Sequence, residues 1–208
     1  MSINSQFNKK DIDILKEETV FKGFFKMIKY TFKHRCFGGE WSRPVEREMF
    51  ERGPAAAMLP YDPINDSVVL VEQIRVGALY HEQPWQFEIV AGMTDDGETS
   101  EDVIRRESVE EAGLEVGRLE SILSYYPSSG GCSEKIDIFV GEVDATQAQG
   151  VYGLDYEDED IQVHRVTRQE ALDMVTDGRI ENASTIIALQ WLALHADALK
   201  ERWAPSNE

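Results

Sequence analysis

Gly92-Met93-Thr94-Asp95-Asp96-Gly97-Glu98-Thr99-Ser100-Glu101-Asp102-Val103-Ile104-Arg105-Arg106-Glu107-Ser108-Val109-Glu110-Glu111-Ala112-Gly113-Leu114 is the stretch from which the rest of the chain is read. Thr99 or Ser100 can cap the start of a helix and Gly113 can close it. Inside that helix Glu107 and Glu111 stand four apart and Glu110 three from Glu107, so the three carboxylates share one face. Like charges at this spacing destabilise an isolated helix by about a few tenths of a kcal/mol per pair and raise one another's pKa. A divalent cation removes that conflict. Oxygen donors with no His or Cys beside them select a hard ion, Mg2+ or Mn2+, over zinc. A lone Glu-Glu pair would read as a solvated acidic face; here Arg106 is placed to pin a carboxylate through a bidentate ion pair and so orient the ligands.

On the N-terminal side of this helix, Ala55 to Leu59 and Ser67 to Arg75 read as strands, separated by the turn formers Pro60 to Asp66, and Gln86 to Ala91 reads as a further short strand. Beyond it, Leu119 to Tyr126, Ile136 to Val143 and Gln162 to Val166 read as strands. Thr167 and Glu170 suggest a capping box for a helix ending near Gly178, and Ser184 to Trp203 a final helix. The expected body is an α/β fold with a mixed sheet over residues 54–208. Residues 1–53 differ in character. Val20, Phe21, Phe24, Phe25, Met27, Ile28 and Tyr30 alternate with Lys and Gly between Thr19 and Tyr30, the pattern of strands with one buried face, and Pro44 to Phe50 repeats it after Gly38-Gly39. So small an antiparallel β domain needs a second surface to pack on, in its own chain or a partner's.

A composition of 42% hydrophobic and 29% charged residues is that of an ordinary globular chain, and 208 residues can bury a sizeable core. Met1 to Lys10 lack the apolar run of a secretory signal, and no stretch of about 18 apolar residues occurs, so the expected location is cytoplasmic, with no membrane partner. Cys36 and Cys132 lack metal-ligand spacing and read as reduced thiols. A net charge of −18 argues against a nucleic-acid partner, whose phosphates call for a basic surface. It leaves room for a small anionic phosphate compound if cations sit between it and the carboxylates.

Gly92, Glu98, Arg106, Glu107, Glu110, Glu111 and Gly113 fall on the fixed positions of the Nudix box, and the chain resembles Nudix hydrolases of the bacterial ADP-ribose pyrophosphatase branch. Phe50-Glu51-Arg52-Gly53, Val71-Glu72-Gln73-Ile74-Arg75, Val90-Ala91-Gly92-Met93 and the run from Ile186 to Leu192 extend the likeness over nearly the whole length. The resemblance implies a Nudix α-β-α sandwich, a homodimer that exchanges its N-terminal sheet, and substrate sites built by both subunits. It places Mg2+ on the carbonyl of Ala91 and on Glu107, Glu111 and Glu159, with Glu157 as proton acceptor. Glu157 and Glu159 lie in an acidic segment, residues 153–160, that could equally be a plain surface loop; Gly150 and Gly153 suit a lid that closes on substrate. For substrate, the matching positions are Phe24, Phe25, Arg47, Glu48, Arg52, Arg75, Met93, Ser128, Ser129, Gly130 and Glu134. Phenylalanines can stack on a base, arginines can hold phosphates, and Glu134 can accept from a ribose hydroxyl.

Two positions depart from the pattern. Ser108 takes a place that is normally aliphatic, and Ser129 stands where the ADP-ribose branch usually has Pro, with Pro127 two residues earlier. The expected activity is Mg2+-dependent hydrolysis of a nucleoside-diphosphate sugar, ADP-ribose first, giving AMP and ribose 5-phosphate. GDP-mannose or an ADP-sugar is the rival substrate, and a non-catalytic module that senses ADP-ribose is the rival class.

Overall fold

The computed structural model describes residues 3–204. The chain divides into two compact units: residues up to Gly53 with Tyr126–Glu134, and Pro54–Tyr125 with the residues from Lys135 onward.

In the first unit β1 (Ile12–Lys22), β2 (Lys26–His34) and β3 (Val45–Glu51) form an antiparallel sheet in that order. The strand expected to start at Thr19 begins at Ile12, and residues 23–25 make the turn within the alternating stretch. The expected buried face is missing from β1, where all eleven residues are exposed; β2 buries only Ile28. Alternation gave the strands correctly, but three strands enclose too little volume to bury a face by themselves. The segment Tyr126–Glu134 lies along β3: the Phe50 N–H donates to the Gly131 carbonyl (2.8 Å) and the Ser133 N–H to the Phe50 carbonyl (3.0 Å).

The second unit holds an eight-stranded mixed sheet. Its strands are β4 (Ala55–Asp62), β5 (Ser67–Ile74), β6 (Trp85–Glu88), β7 (Val90–Met93), β8 (Leu119–Tyr125), β9 (Ile136–Glu142), β10 (Gly150–Tyr152) and β11 (Ile161–Thr167). Their order is β10-β11-β5-β4-β9-β8, with β6 on β5 and β7 on β4; among the described residues β4 with β9 is the one parallel pair of this sheet. Helices α1 (Ser100–Ala112), α2 (Arg168–Thr176) and α3 (Ala183–Trp203) cover it. The period of two along β4 assigns the layers. Ala57, Leu59 and Tyr61 pack with Ala171 and Met174 of α2 and with Leu189, Leu192 and Trp203 of α3. Ala56 and Met58 pack with Val103 and Ile104 of α1 on the opposite face. This is the α-β-α sandwich, and both faces of β4 are buried throughout.

Two strand boundaries differ from the sequence reading. β4 runs through Pro60 to Asp62, because burying Leu59 and Tyr61 outweighs the one ladder N–H that Pro60 lacks; the turn falls at residues 63–66, where Asp62 accepts from the N–H groups of Ile64 (3.0 Å) and Asn65 (2.9 Å). The stretch Gln86 to Ala91 is two strands. It changes partner from β5 to β4 at Ile89, whose N–H donates to the Thr185 hydroxyl instead of to the sheet (3.0 Å).

Candidate active site

Thr99 and Gly113 bracket α1 as the sequence indicates. The Thr99 side chain accepts from the Asp102 N–H and the Asp102 carboxylate accepts from the Thr99 N–H, a reciprocal capping box. Gly113 ends the helix at φ 63°, and a side chain there would run into the Tyr152 ring. So fixed, α1 lays its carboxylate face against β7. Glu111 is buried and accepts a hydrogen bond from the Ala91 N–H (3.0 Å), which brings together two of the expected ligand positions. Glu107 packs so closely on Gly92 that a Cβ there would occupy the place of its carboxylate; the box glycine is a matter of room, not of a turn.

Burial dominates the electrostatics. It raises the Glu111 carboxyl to about 8, against the Ala91 hydrogen bond, and the charge of Glu107 adds to the rise. Burial likewise raises Glu107 to about 6, opposed by Arg106 and reinforced by Glu110 and Glu159. Arg106 makes the expected bidentate pair with a carboxylate, and that carboxylate is Glu98 instead of one of the expected ligands. Its fork grips Glu98 (3.1 and 3.3 Å), and Nη1 is shared between Glu107 (2.7 Å) and Glu110 (3.0 Å). Eight residues of separation place Glu98 in the loop before α1, so the arginine ties that loop to the helix.

Glu159 stands near enough for its charge to act on Glu107, Glu111 and Arg75, and it accepts from the Leu154 N–H (3.2 Å). Glu157 is exposed, at the end of a single 3-10 turn, Asp155–Glu157, followed by Asp158 in the left-handed region (φ 56°). Arg75 donates twice to Oε2 of the buried Glu88 (2.8 and 2.6 Å), while Asn182 donates to Oε1 (2.9 Å). Sequence reading missed Glu88 and Asn182, since no local spacing connects them to Arg75. Met93 lies on β7 opposite Ala55.

The donor set fits a hard divalent cation. Its groups are oxygens only, Gly92 leaves room for the Glu107 carboxylate, and the buried Glu111 needs a positive charge to ionise at neutral pH. Among the described residues no three of His, Cys, Asp or Glu already converge as a finished cage: Glu107 is turned to Arg106 and Glu159 to its own loop.

The other expected substrate residues belong to the first unit. Glu134 is buried and paired with Arg52 (2.9 Å), whose guanidinium lies over the Phe25 ring (5.6 Å). Phe25 meets Phe24 and Phe50 edge to face at 4.7 and 5.1 Å, and Phe24 is 88% exposed. Arg47 and Glu48 are exposed on β3, the former donating to the Glu46 carbonyl (2.7 Å). Ser128, Ser129 and Gly130 are exposed in a tight loop, in which the Ser128 carbonyl accepts from the N–H groups of Gly131 (3.1 Å) and Cys132 (2.9 Å). This unit gathers Phe25, Arg52 and Glu134; it leaves Arg47 and Glu48 apart from them in hydrogen bonding.

Residues 51–194 match the NUDIX domain model. An ADP-ribose pyrophosphatase of Escherichia coli (strain K12) is 54% identical over 199 residues, 95% of each chain. One from Haemophilus influenzae is 46% identical over 210 residues, 99% of this chain and 97% of that one. A crystal structure described as an ADP compounds hydrolase superposes with a TM-score of 0.69 at 21% identity, over 91% of this chain and 96% of the other, which supports the fold. With the box residues Gly92, Glu98, Arg106, Glu107, Glu110, Glu111 and Gly113 on β7, α1 and the turns beside it, a mixed sheet between two helical layers and a domain match across most of its length, this chain belongs to the Nudix family and is a hydrolase.

Proposed function

We propose that the protein hydrolyses the diphosphate linkage of ADP-ribose to AMP and ribose 5-phosphate, with Mg2+ (or Mn2+) as cofactor, as a cytoplasmic homodimer. One observation carries the chemistry: Glu111 is buried on α1 against the Ala91 N–H, and burial raises its carboxyl to about 8, so that a bound cation would favour its ionised form. The substrate is supported by 54% identity, over nearly the whole length, to a protein named as an ADP-ribose pyrophosphatase.

Glu107, Glu111, Glu159 and the Ala91 carbonyl would hold the ions. When bound, divalent cations supply charge neutralisation on the diphosphate and lower the pKa of a water nucleophile. The remaining work belongs to the chain. Glu157, on its exposed turn between Gly153 and Asp158, takes the proton as water attacks phosphorus and the bridging P–O bond breaks, leaving two phosphate monoesters. Attack at either phosphorus gives the same two products. Arg75 holds phosphate oxygens. Phe24 and Phe25 stack on the base, Arg52 holds phosphate oxygens, and Glu134 accepts from a ribose hydroxyl. Arg47, Glu48, Met93 and the loop Ser128, Ser129 and Gly130 complete the contacts. Ser129 in place of Pro keeps GDP-mannose or an ADP-sugar as the second reading, and a substrate panel decides between them.

AMP release from ADP-ribose is expected with Mg2+ and not with chelator, and Glu111→Gln should abolish it without loss of the thermal transition. Turnover that survives Glu111→Gln would refute the ligand assignment. Glu157→Gln should lower kcat by about 10²-fold or more with KM little changed, the contribution typical of a general base. An unchanged kcat would move the base elsewhere.

A further inference from the structure

Gln73 on β5 is buried, and among the described residues its side-chain Nε2 has no hydrogen-bond partner. An orphaned buried donor costs stability, so its retention calls for a reason. Residues 71, 73 and 75 point to one face of the sheet. The register sets Val71 opposite Glu88 and Gln73 opposite Gln86, and the Arg75 N–H donates to the Pro84 carbonyl (2.9 Å). To reach Glu88, the Arg75 side chain therefore runs back along β5 across the Gln73 and Gln86 positions. Gln86 is engaged elsewhere, donating to the Gln83 carbonyl (2.7 Å). Glu88 receives Asn182 on Oε1 and both Arg75 bonds on Oε2. A donor without a partner among the described residues thus stands on β5 diagonal to a buried carboxylate, whose Oε2 receives its hydrogen bonds from Arg75.

We propose that Gln73 is a positioning residue for the hydrolysis: as Arg75 turns from Glu88 to the substrate diphosphate, the Gln73 amide takes over Oε2 of Glu88. The inference rests on the reading of Arg75 as a phosphate-binding residue. A buried carboxylate that loses its partner is strongly disfavoured, and so is the donor that waits unpaired. The exchange relieves both. It lowers the free energy of the state in which Arg75 is released, and substrate affinity is reduced by whatever fraction of the protein is not in that state. Gln73 lies diagonal to Glu88 across the strand pair, within reach of two long side chains.

The test is Gln73→Met, which keeps length and removes the donor; Gln73→Leu repeats it should the first fold poorly. KM for ADP-ribose with Mg2+, and Kd for ADP-ribose by calorimetry without metal, should each rise about tenfold while kcat changes by less than about twofold. The melting temperature should stay level or increase. In a Glu88→Gln background, where no buried charge needs a replacement donor, Gln73→Met should add less than about twofold. Unchanged KM and Kd, or an equal loss with and without Glu88→Gln, would overturn the role of Gln73. Arg75→Ala separates the two readings. A raised KM there beside an unaffected Gln73→Met removes only the role of Gln73, whereas an unchanged KM in Arg75→Ala removes the phosphate-binding reading and the inference with it.

Discussion

Ser108 shows how one residue in the box departs from its surroundings. It takes a place that is normally aliphatic, and the structure locates the cost in a polar atom, since Ser108 is wholly buried and its hydroxyl has no partner among the described residues. Replacement by alanine removes that atom, adds no volume and improves helix propensity, so Ser108→Ala should stabilise by about 1 kcal/mol. A melt should read this as a rise of about 2–4 °C; a fall would mean that the hydroxyl is satisfied in solution. Glu107 and Glu111 set the pH dependence. Both folded pKa values, about 6 and about 8, lie above the ordinary 4.5, so their contribution is fully present below about pH 4.5 and is lost as pH rises through those values. Metal-free protein should therefore lose melting temperature between about pH 5 and about pH 8, and Mg2+ should restore more at the upper end. Equal Mg2+ stabilisation at both ends would rule out these carboxylates as the ligands.

At the scale of elements, α1 was the most legible part of the chain. Its cap, its carboxylate face and its closing glycine are each set by residues within four positions of one another, and to the cap the structure adds the reciprocal bond of Asp102. Gly113 also has a tertiary duty, because it turns the chain at positive φ beneath Tyr152. Gly113→Ala should therefore cost more than about 1 kcal/mol, the usual price of a left-handed alanine, and a denaturant midpoint that does not move would contradict the packing. β10 and the division of Gln86 to Ala91 into β6 and β7 escaped the sequence reading. Three residues are too few to show a period, and the break at Ile89 is made by Thr185 on α3, which is distant in sequence.

At the scale of the whole molecule, β1 is, among the described residues, an edge strand with no covered face, and Ile14 and Phe21 are 60% and 65% exposed. Such an edge invites pairing with another chain, and the proposed homodimer would bury it. Light scattering should give twice the chain mass for the native protein and the single mass for Ile14→Glu/Phe21→Glu. A native monomer at about micromolar concentration would exclude the dimer.

By itself the sequence determined the Nudix box, the strand character of Ala55 to Leu59 and the strand-rich N-terminal region, because each is written in residues close together in the chain, where helical or strand periodicity converts spacing directly into a shared face. Only the tertiary structure decided which charges meet. Arg75 finds Glu88, Arg52 finds Glu134, Arg106 takes Glu98 as its bidentate partner, and Glu159 comes into range of Glu107 and Glu111. Those pairings depend on strand order, register and loop course, and the burial that shifts Glu111 to about 8 exists only once β7 and α1 are packed together.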